Sequence, residues 1–295
     1  MEQTFDPFRG DGPTLASTGE SALIEQLRLW LGPVSPPAPA GIGDDCALIT
    51  DLPAGNLILT TDGVTYGQHF DRSVSPGHAG AKLINRNLSD IAAMGGTPGV
   101  ALLNLHGGPD LRTGWLEDFI RGIRQCCERY QFQIVGGDVS ELPPGQFTAS
   151  LSLTGNVGPE VKLRSTASIG DRIYVTGTLG GSIRGKHFLF EPRLAEGRWL
   201  AARPECTALM DLTDGLAKDL PALLPAGSSA ALNLDAVPLA EAAREQAALT
   251  GRDALEHAFC DGEDYELLFT ARDEETEAEL ATDWAAAFPE LPLTR

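Results

Sequence analysis

Between Phe147 and Thr154 the sequence alternates with strict period two, Phe147, Ala149, Leu151 and Leu153 against Thr148, Ser150, Ser152 and Thr154. Successive strand side chains point to opposite faces, so this segment predicts a strand with one buried and one polar face, closing the first half of the chain. A half-buried strand needs a second layer, and the same half supplies it. Leu23, Ile24, Leu27, Trp30 and Leu31 recur at helical spacing, as do Trp115, Leu116, Phe119, Ile120, Ile123, Cys127 and Tyr130. Another helix is predicted from Ser75-Pro76 to Gly95-Gly96, with Ile84, Leu88, Ile91 and Ala92 in its pattern. Further strands are predicted over 56–61, which places Asp62 at a strand end, over 100–105 and over 132–135.

The second half repeats the mixture. A strand at 171–176 runs into the glycine-rich 177–182 turn and a helix. That turn lacks the Lys-Ser/Thr ending of a Walker loop, so a tight strand-to-helix connection is the better reading. Strands at 230–234 and after the 260–266 turn, and helices at 240–249 and 274–288, complete the pattern. No internal repeat is evident, and strands alternating with helices in each half give an α/β (α+β) chain. The expected organisation is a flexible leader over 1–18, a first domain over 19–158 and a second over 159–295.

With 22 basic against 41 acidic residues, a net charge of −19 opposes any extended phosphate backbone or anionic membrane surface. Nucleic acid and membrane are therefore not expected partners, and a phosphate ligand is expected to arrive with metal. No apolar run approaches the length of a membrane span and the first 18 residues lack a signal pattern, so a cytoplasmic protein is expected. The five cysteines, Cys46, Cys126, Cys127, Cys206 and Cys260, form no C-x-x-C pair, which argues against a disulfide framework or a zinc site. Most are expected to be buried.

Acids recur beside glycine turns and element ends. Gly41-Ile42-Gly43-Asp44-Asp45-Cys46 combines close backbone approach with hard oxygen ligands, although an ordinary turn capped by its own side chain reads the same way. Asp90 falls near the C-terminus of its helix, where the helix dipole disfavours a carboxylate unless a cation is nearby. Asp138 follows Gly136-Gly137. In Asp211-Leu212-Thr213-Asp214-Gly215-Leu216, helix capping by Thr213 or Asp214 competes with a ligand role. Gathered by the fold, such acids make a site for several Mg²⁺ ions.

Six ordered motifs carry a family resemblance: Gly-Ile-Gly-Asp-Asp at 41–45, Thr-Thr-Asp at 60–62 with His69-Phe70, Asn-Leu-Ser-Asp at 87–90 through Ala-Met-Gly at 93–95, Gly-Gly-Asp at 136–138, Asp-Leu-Thr-Asp-Gly-Leu at 211–216, and Gly-Glu-Asp-Tyr-Glu-Leu at 262–267. Together they resemble the thiamine-monophosphate kinases of the aminoimidazole ribonucleotide synthetase-like superfamily. The resemblance implies a two-domain fold whose N-terminal domain forms a barrel across a homodimer, and a C-terminal α/β domain. It also implies ATP-dependent phosphorylation of thiamine monophosphate to the diphosphate with several Mg²⁺ ions. By the same resemblance, magnesium ligands fall on Asp45, Thr60, Thr61, Asp62, Asp90, Asp138, Asp211 and Asp214. ATP contacts fall on Asp138, Arg164 and Thr213, and thiamine monophosphate contacts on His69 and Glu263.

Direct in-line transfer is expected, with no catalytic base, because the accepting phosphate oxygen is already anionic. Members of the family continue beyond the position of Arg295 through strands bearing an aromatic residue that packs on thiamine, so the resemblance implies a truncated second domain. The alternatives are another ATP-dependent enzyme of the superfamily and a catalytically inactive nucleotide-binding homodimer.

Overall fold

The computed structural model describes residues 4–38, 40–42, 47–49, 54–272 and 277–295. The chain divides into two compact units, Met1–Leu88 with Pro98–Asn156 and Ser89–Thr97 with Val157–Arg295. In the first part of the chain the elements are α1 (Leu15–Thr18), α2 (Glu20–Leu31), β1 (Asn56–Thr65), α3 (Pro76–Ala93), β2 (Thr97–Gly107), α4 (Thr113–Tyr130), β3 (Gln133–Glu141) and β4 (Phe147–Val157). The second part holds β5 (Arg172–Thr176), α5 (Lys186–Leu189), α6 (Leu194–Ala201), β6 (Cys206–Asp211), α7 (Leu216–Leu223), α8 (Glu241–Thr250), α9 (Ala254–Cys260), β7 (Leu267–Ala271), α10 (Glu277–Ala287) and β8 (Leu293–Thr294). The expected α/β composition holds. The chain passes between the units three times, after Leu88 inside α3, after Thr97 and after Asn156.

In the first unit the sheet order is β1-β4-β2-β3, with β2 and β3 parallel. The alternation that predicts β4 is matched by its burial, which switches at every residue from Phe147 to Val157. Its apolar side meets α4 through a cluster of rings. Phe147 lies edge-on to Trp115 at 5.0 Å and to Phe119 at 5.2 Å, and Trp115 stacks on Phe70 at 6.0 Å. Each such ring contributes roughly 2 to 3 kcal/mol through burial. Helix α4 approaches α3 closely because Gly122 carries no side chain: a Cβ there would lie 2.0 Å from the Gly77 carbonyl.

Three sequence expectations shift. Strand β1 continues to Thr65, so Asp62 lies inside the strand and not at its end. Strand β3 continues through Gly136-Gly137-Asp138, where a Cβ on Gly137 would sit 1.7 Å from the Leu103 carbonyl of β2. The glycines there serve close strand approach across a register irregularity between Ala101 and Leu102, not a turn. In the leader, where no periodicity predicts an element, the Phe5 carbonyl accepts from Trp115 Nε1 at 3.0 Å and the Pro7 carbonyl from Arg112 N–H at 2.9 Å.

The second unit's sheet has the order β6-β7-β5-β8, antiparallel at each pairing. Its core gathers Val175, Leu179, Ala208, Met210, Leu212 and Leu268 with Leu216, Leu220 and Leu223 of α7. The predicted strand at 230–234 is absent: these residues form a connection into a 3-10 turn at Leu234–Ala236. Ala230 and Leu232 still pack on the core, so the apolar alternation reports burial, but the Asn233 side chain accepts from Asp235 N–H and turns the backbone. Among the described residues no helix is long and apolar enough to cross a membrane.

Candidate functional site

The candidate residues occur in both units. In the first unit, Thr61 Oγ1 on β1 donates to the Leu151 carbonyl of β4 at 3.0 Å, and Thr60 precedes it on the same strand. Asp62 is gripped by Arg86 of α3, whose Nε donates to Oδ2 at 3.1 Å and Nη2 to Oδ1 at 3.0 Å. Arg86 Nη1 also donates to the Gly63 carbonyl at 2.7 Å. This fork is invisible to sequence reasoning because it joins residues 24 apart on different elements. Each carboxylate oxygen retains a second lone pair beyond the one Arg86 uses.

His69 follows β1. Its Nδ1 accepts from Thr65 N–H at 3.0 Å, which fixes the plane of the imidazole. Its carbonyl accepts from the buried Lys82 Nζ at 2.7 Å, fixing the loop as well as the ring. Asp138 is exposed on β3, opposite Asn104 of β2, and accepts from Ser140 Oγ at 2.5 Å. It lines an open, largely apolar cavity of about 620 Å³ with Gly137, Leu102, Leu59, Leu27 and Leu31. Asp45 lies outside the described residues.

In the second unit, β6 ends at Asp211, which is buried. Ser89 Oγ donates to its Oδ2 at 2.5 Å. Burial, and after it the charge of Asp90, pushes the Asp211 carboxyl up to about 7, against the hydrogen bonds from Ser89 and the backbone. Two carboxylates brought together with one in a buried position are the environment a hard cation relieves. Among the described residues no group of three or more His, Cys, Asp or Glu side chains is close enough to hold an ion without other ligands. The donor chemistry at Asp211 and Asp90 nevertheless fits Mg²⁺, which keeps several waters and takes few carboxylates.

After β6, neither Thr213 nor Asp214 is the helix cap. Gly215 is the N-cap of α7, and the buried Asp219 accepts from both Thr213 N–H and Asp214 N–H at 2.9 Å. Asp214 is exposed and pairs with Lys218 at 2.6 Å. The sequence signal for Asp219 is an acid in the first turn of a helix, which spacing between the other acids does not bring out. Arg164 is exposed in the connection after β4.

Glu263 sits in a stretch of left-handed backbone, with φ of 71° at Gly262, 54° at Glu263 and 51° at Tyr265. Non-glycine residues take this region at a cost of about 1 to 3 kcal/mol each, and such strain concentrates at functional sites. Glu263 N–H donates to the Thr213 carbonyl at 2.7 Å, so this loop and the Asp211–Asp214 turn are one structure. The same loop carries two buried acids that spacing did not reveal, Asp264 and Glu266, which pair with the half-buried Lys186 and Arg193. Burial raises the Asp264 carboxyl to about 7, while Lys186 and the Gly180 N–H pull it down.

Comparison with known proteins follows the same outline. Residues 43–157 match the family described as AIR synthase related protein, N-terminal domain. The thiamine-monophosphate kinase of Rhodopirellula baltica is 37% identical over 269 residues, covering 88% of this chain and 83% of its relative. The chain belongs to the thiamine-monophosphate kinase family. A crystal structure of the family's member from Stenotrophomonas maltophilia superposes with a TM-score of 0.76 at 30% identity, covering 92% of this chain and 91% of that one. AaThiL, complexed with AMPPCP and TMP, gives 0.71 at 29% identity over 97% and 92%. Family membership gives the acid-rich turns at 211–214 and 262–266 a shared context that their glycine and helix-cap surroundings alone do not.

Proposed function

We propose that this protein transfers the γ-phosphoryl group of ATP to the phosphate of thiamine monophosphate, giving thiamine diphosphate and ADP. The match to the Rhodopirellula baltica kinase over 88% of the chain carries the reading. The geometry supports it through a buried Asp211 beside Asp90, a His69 ring oriented by Thr65 N–H and a strained, acid-bearing loop at Glu263.

The residues that would hold Mg²⁺ are Asp45, Thr60, Thr61, Asp62, Asp90, Asp138, Asp211 and Asp214. When bound, Mg²⁺ neutralises phosphate charge and polarises the transferred group. Asp138, Arg164 and Thr213 are assigned to ATP. His69 Nε2–H donates to an anionic oxygen of thiamine monophosphate, and Glu263 accepts from the polar or cationic part of its ring system. No protein base is required, since the attacking phosphate oxygen is already an anion; the side chains position the two phosphates in line. Exposed apolar side chains on the first sheet, Leu59 at 73% and Leu102 at 45%, support a second copy of the chain as partner. A cytoplasmic location fits a soluble nucleotide substrate.

A coupled assay of ADP release, run with and without thiamine monophosphate and with and without EDTA, tests the reading. Release that needs both thiamine monophosphate and free Mg²⁺ is expected, with thiamine diphosphate as product. ADP release indifferent to thiamine monophosphate, or nucleotide binding without turnover, overturns it.

A further inference from the structure

We propose that segment 186–193 is a cradle that aims the Glu263 carboxylate at the organic part of the substrate, and that Glu266 is the positioning residue anchoring it. This deepens, and rests on, the function proposed above.

Glu266 is 1% exposed and fully partnered. Its Oε1 accepts from Lys186 Nζ at 2.9 Å and Arg193 Nη2 at 2.7 Å; its Oε2 accepts from Arg193 Nε at 2.8 Å and Thr176 Oγ1 at 2.8 Å. A carboxylate held by four donors, two of them the fork of one arginine, has a single orientation. Its own backbone is fixed too, because its carbonyl accepts from Leu212 N–H at 2.8 Å. A Cβ on Gly177 would lie 2.2 Å from Glu266 Oε1, so the carboxylate also fills the space beside β5.

The same segment touches the strained loop at two further points. Phe190 stacks on Tyr265 with ring centroids 3.7 Å apart and planes 13° from parallel. The buried His187 places Nδ1 3.8 Å from Glu263 Oε2, and Tyr265 Oη donates to Glu263 Oε1 at 3.2 Å. One short stretch of chain thus meets Glu266 by charge, Tyr265 by its ring and Glu263 by its carboxylate. Left-handed residues persist only where their surroundings over-determine them. Here the surroundings are this cradle on one side and the Thr213 carbonyl on the other. A network built so tightly around a carboxylate that is itself 31% exposed is suited to orienting that carboxylate toward a ligand.

Steady-state kinetics of E266Q, R193K and Y265F, varying thiamine monophosphate and ATP separately, test this. Y265F keeps the ring and the stack and removes only the hydroxyl, so its fold serves as a safeguard should E266Q prove unstable. The expected result for Y265F is a rise of about tenfold in KM for thiamine monophosphate, the size of one hydrogen bond to a charged group, with kcat and the KM for ATP unchanged. E266Q is expected to show a larger rise in the same constant, and R193K, which loses the fork, an intermediate one. Wild-type KM for thiamine monophosphate in Y265F, or equal losses toward both substrates, overturns the positioning role. A wild-type enzyme whose ADP release ignores thiamine monophosphate overturns the function itself, and the two failures are read in the same assay.

Discussion

Asp264 is 1% exposed. Its Oδ1 accepts from Gly180 N–H at 2.9 Å, Lys186 Nζ stands 3.9 Å away, and Oδ2 is buried without a partner. Burial raises its carboxyl from 3.8 to about 7. Below 3.8 the folded and unfolded chains both carry the proton, and the group is neutral toward folding. As pH rises, the unfolded chain releases the proton first, so stability falls until the folded carboxyl also ionises near 7. The total, at about 1.4 kcal/mol per tenfold, is about 4 kcal/mol, of which about 3 is lost between pH 5 and 8. D264N removes the titration while keeping the acceptor for Gly180. Its new amide protons replace the unpartnered oxygen, at a pH-independent cost of about 1 to 3 kcal/mol. The stability of wild type relative to D264N is therefore expected to fall by about 3 kcal/mol from pH 5 to pH 8, leaving wild type the less stable of the two at pH 8. Urea unfolding of both proteins in half-unit steps from pH 5 to 8.5 measures the difference. Groups common to both chains, Asp211 among them, drop out. Parallel curves, with a difference constant to within about 0.5 kcal/mol, would refute the argument, because an Asp264 with an ordinary pKa is already ionised at pH 5 in both states.

Other perturbations follow from single contacts. D62N is expected to lower thiamine monophosphate-dependent turnover about a hundredfold or more while costing about 1 to 2 kcal/mol of stability, since an amide oxygen still accepts from Arg86 and the Gly63 carbonyl still holds Nη1; unchanged kinetics would remove Asp62 from the magnesium set. In G137A the new methyl group meets the Leu103 carbonyl at 1.7 Å, so a loss of about 3 kcal/mol or more is expected, visible as a lowered thermal midpoint and faster amide exchange in β2 and β3. Thiol labelling of the native protein at pH 8 is expected to modify the exposed Cys260 and to spare Cys126 and Cys206, which burial pushes up to about 12, and Cys127, which burial pushes higher still; labelling of all four at one rate would contradict that burial.

The elements that periodicity predicts best are those with one wet face. Helices α2 and α4 and strand β4 each bury one side, and their residue patterns repeat that geometry. Strand β6 is buried along its whole length from Cys206 to Asp211 and so carries no alternation to read. At 230–234 the opposite failure occurs: an extended connection lays alternate side chains on the core without pairing its backbone, and alternation alone cannot separate the two. Contacts that orient the site are the least legible. Arg86 reaches Asp62 across 24 positions and Arg193 reaches Glu266 across 73, so neither pair leaves a mark in local spacing.

The acids beside turns and element ends look alike in sequence and differ in the fold by what answers their charge. Asp219 is answered by two backbone N–H groups, Glu266 by two cations and a hydroxyl, Asp62 by a guanidinium and Asp214 by a lysine. For Asp211 the neighbouring charge is another carboxylate, Asp90, and the environment drives it toward protonation. Burial without a counter-charge is costly, and the fold of β6 and α3 holds Asp211 in that state. Asp62 meets the same demand only by sharing its oxygens with Arg86, which holds the carboxylate in one orientation before any ligand binds. The two residues are therefore poised differently: the surroundings of Asp211 favour its neutral form, whereas the Arg86 fork gives Asp62 a fixed direction.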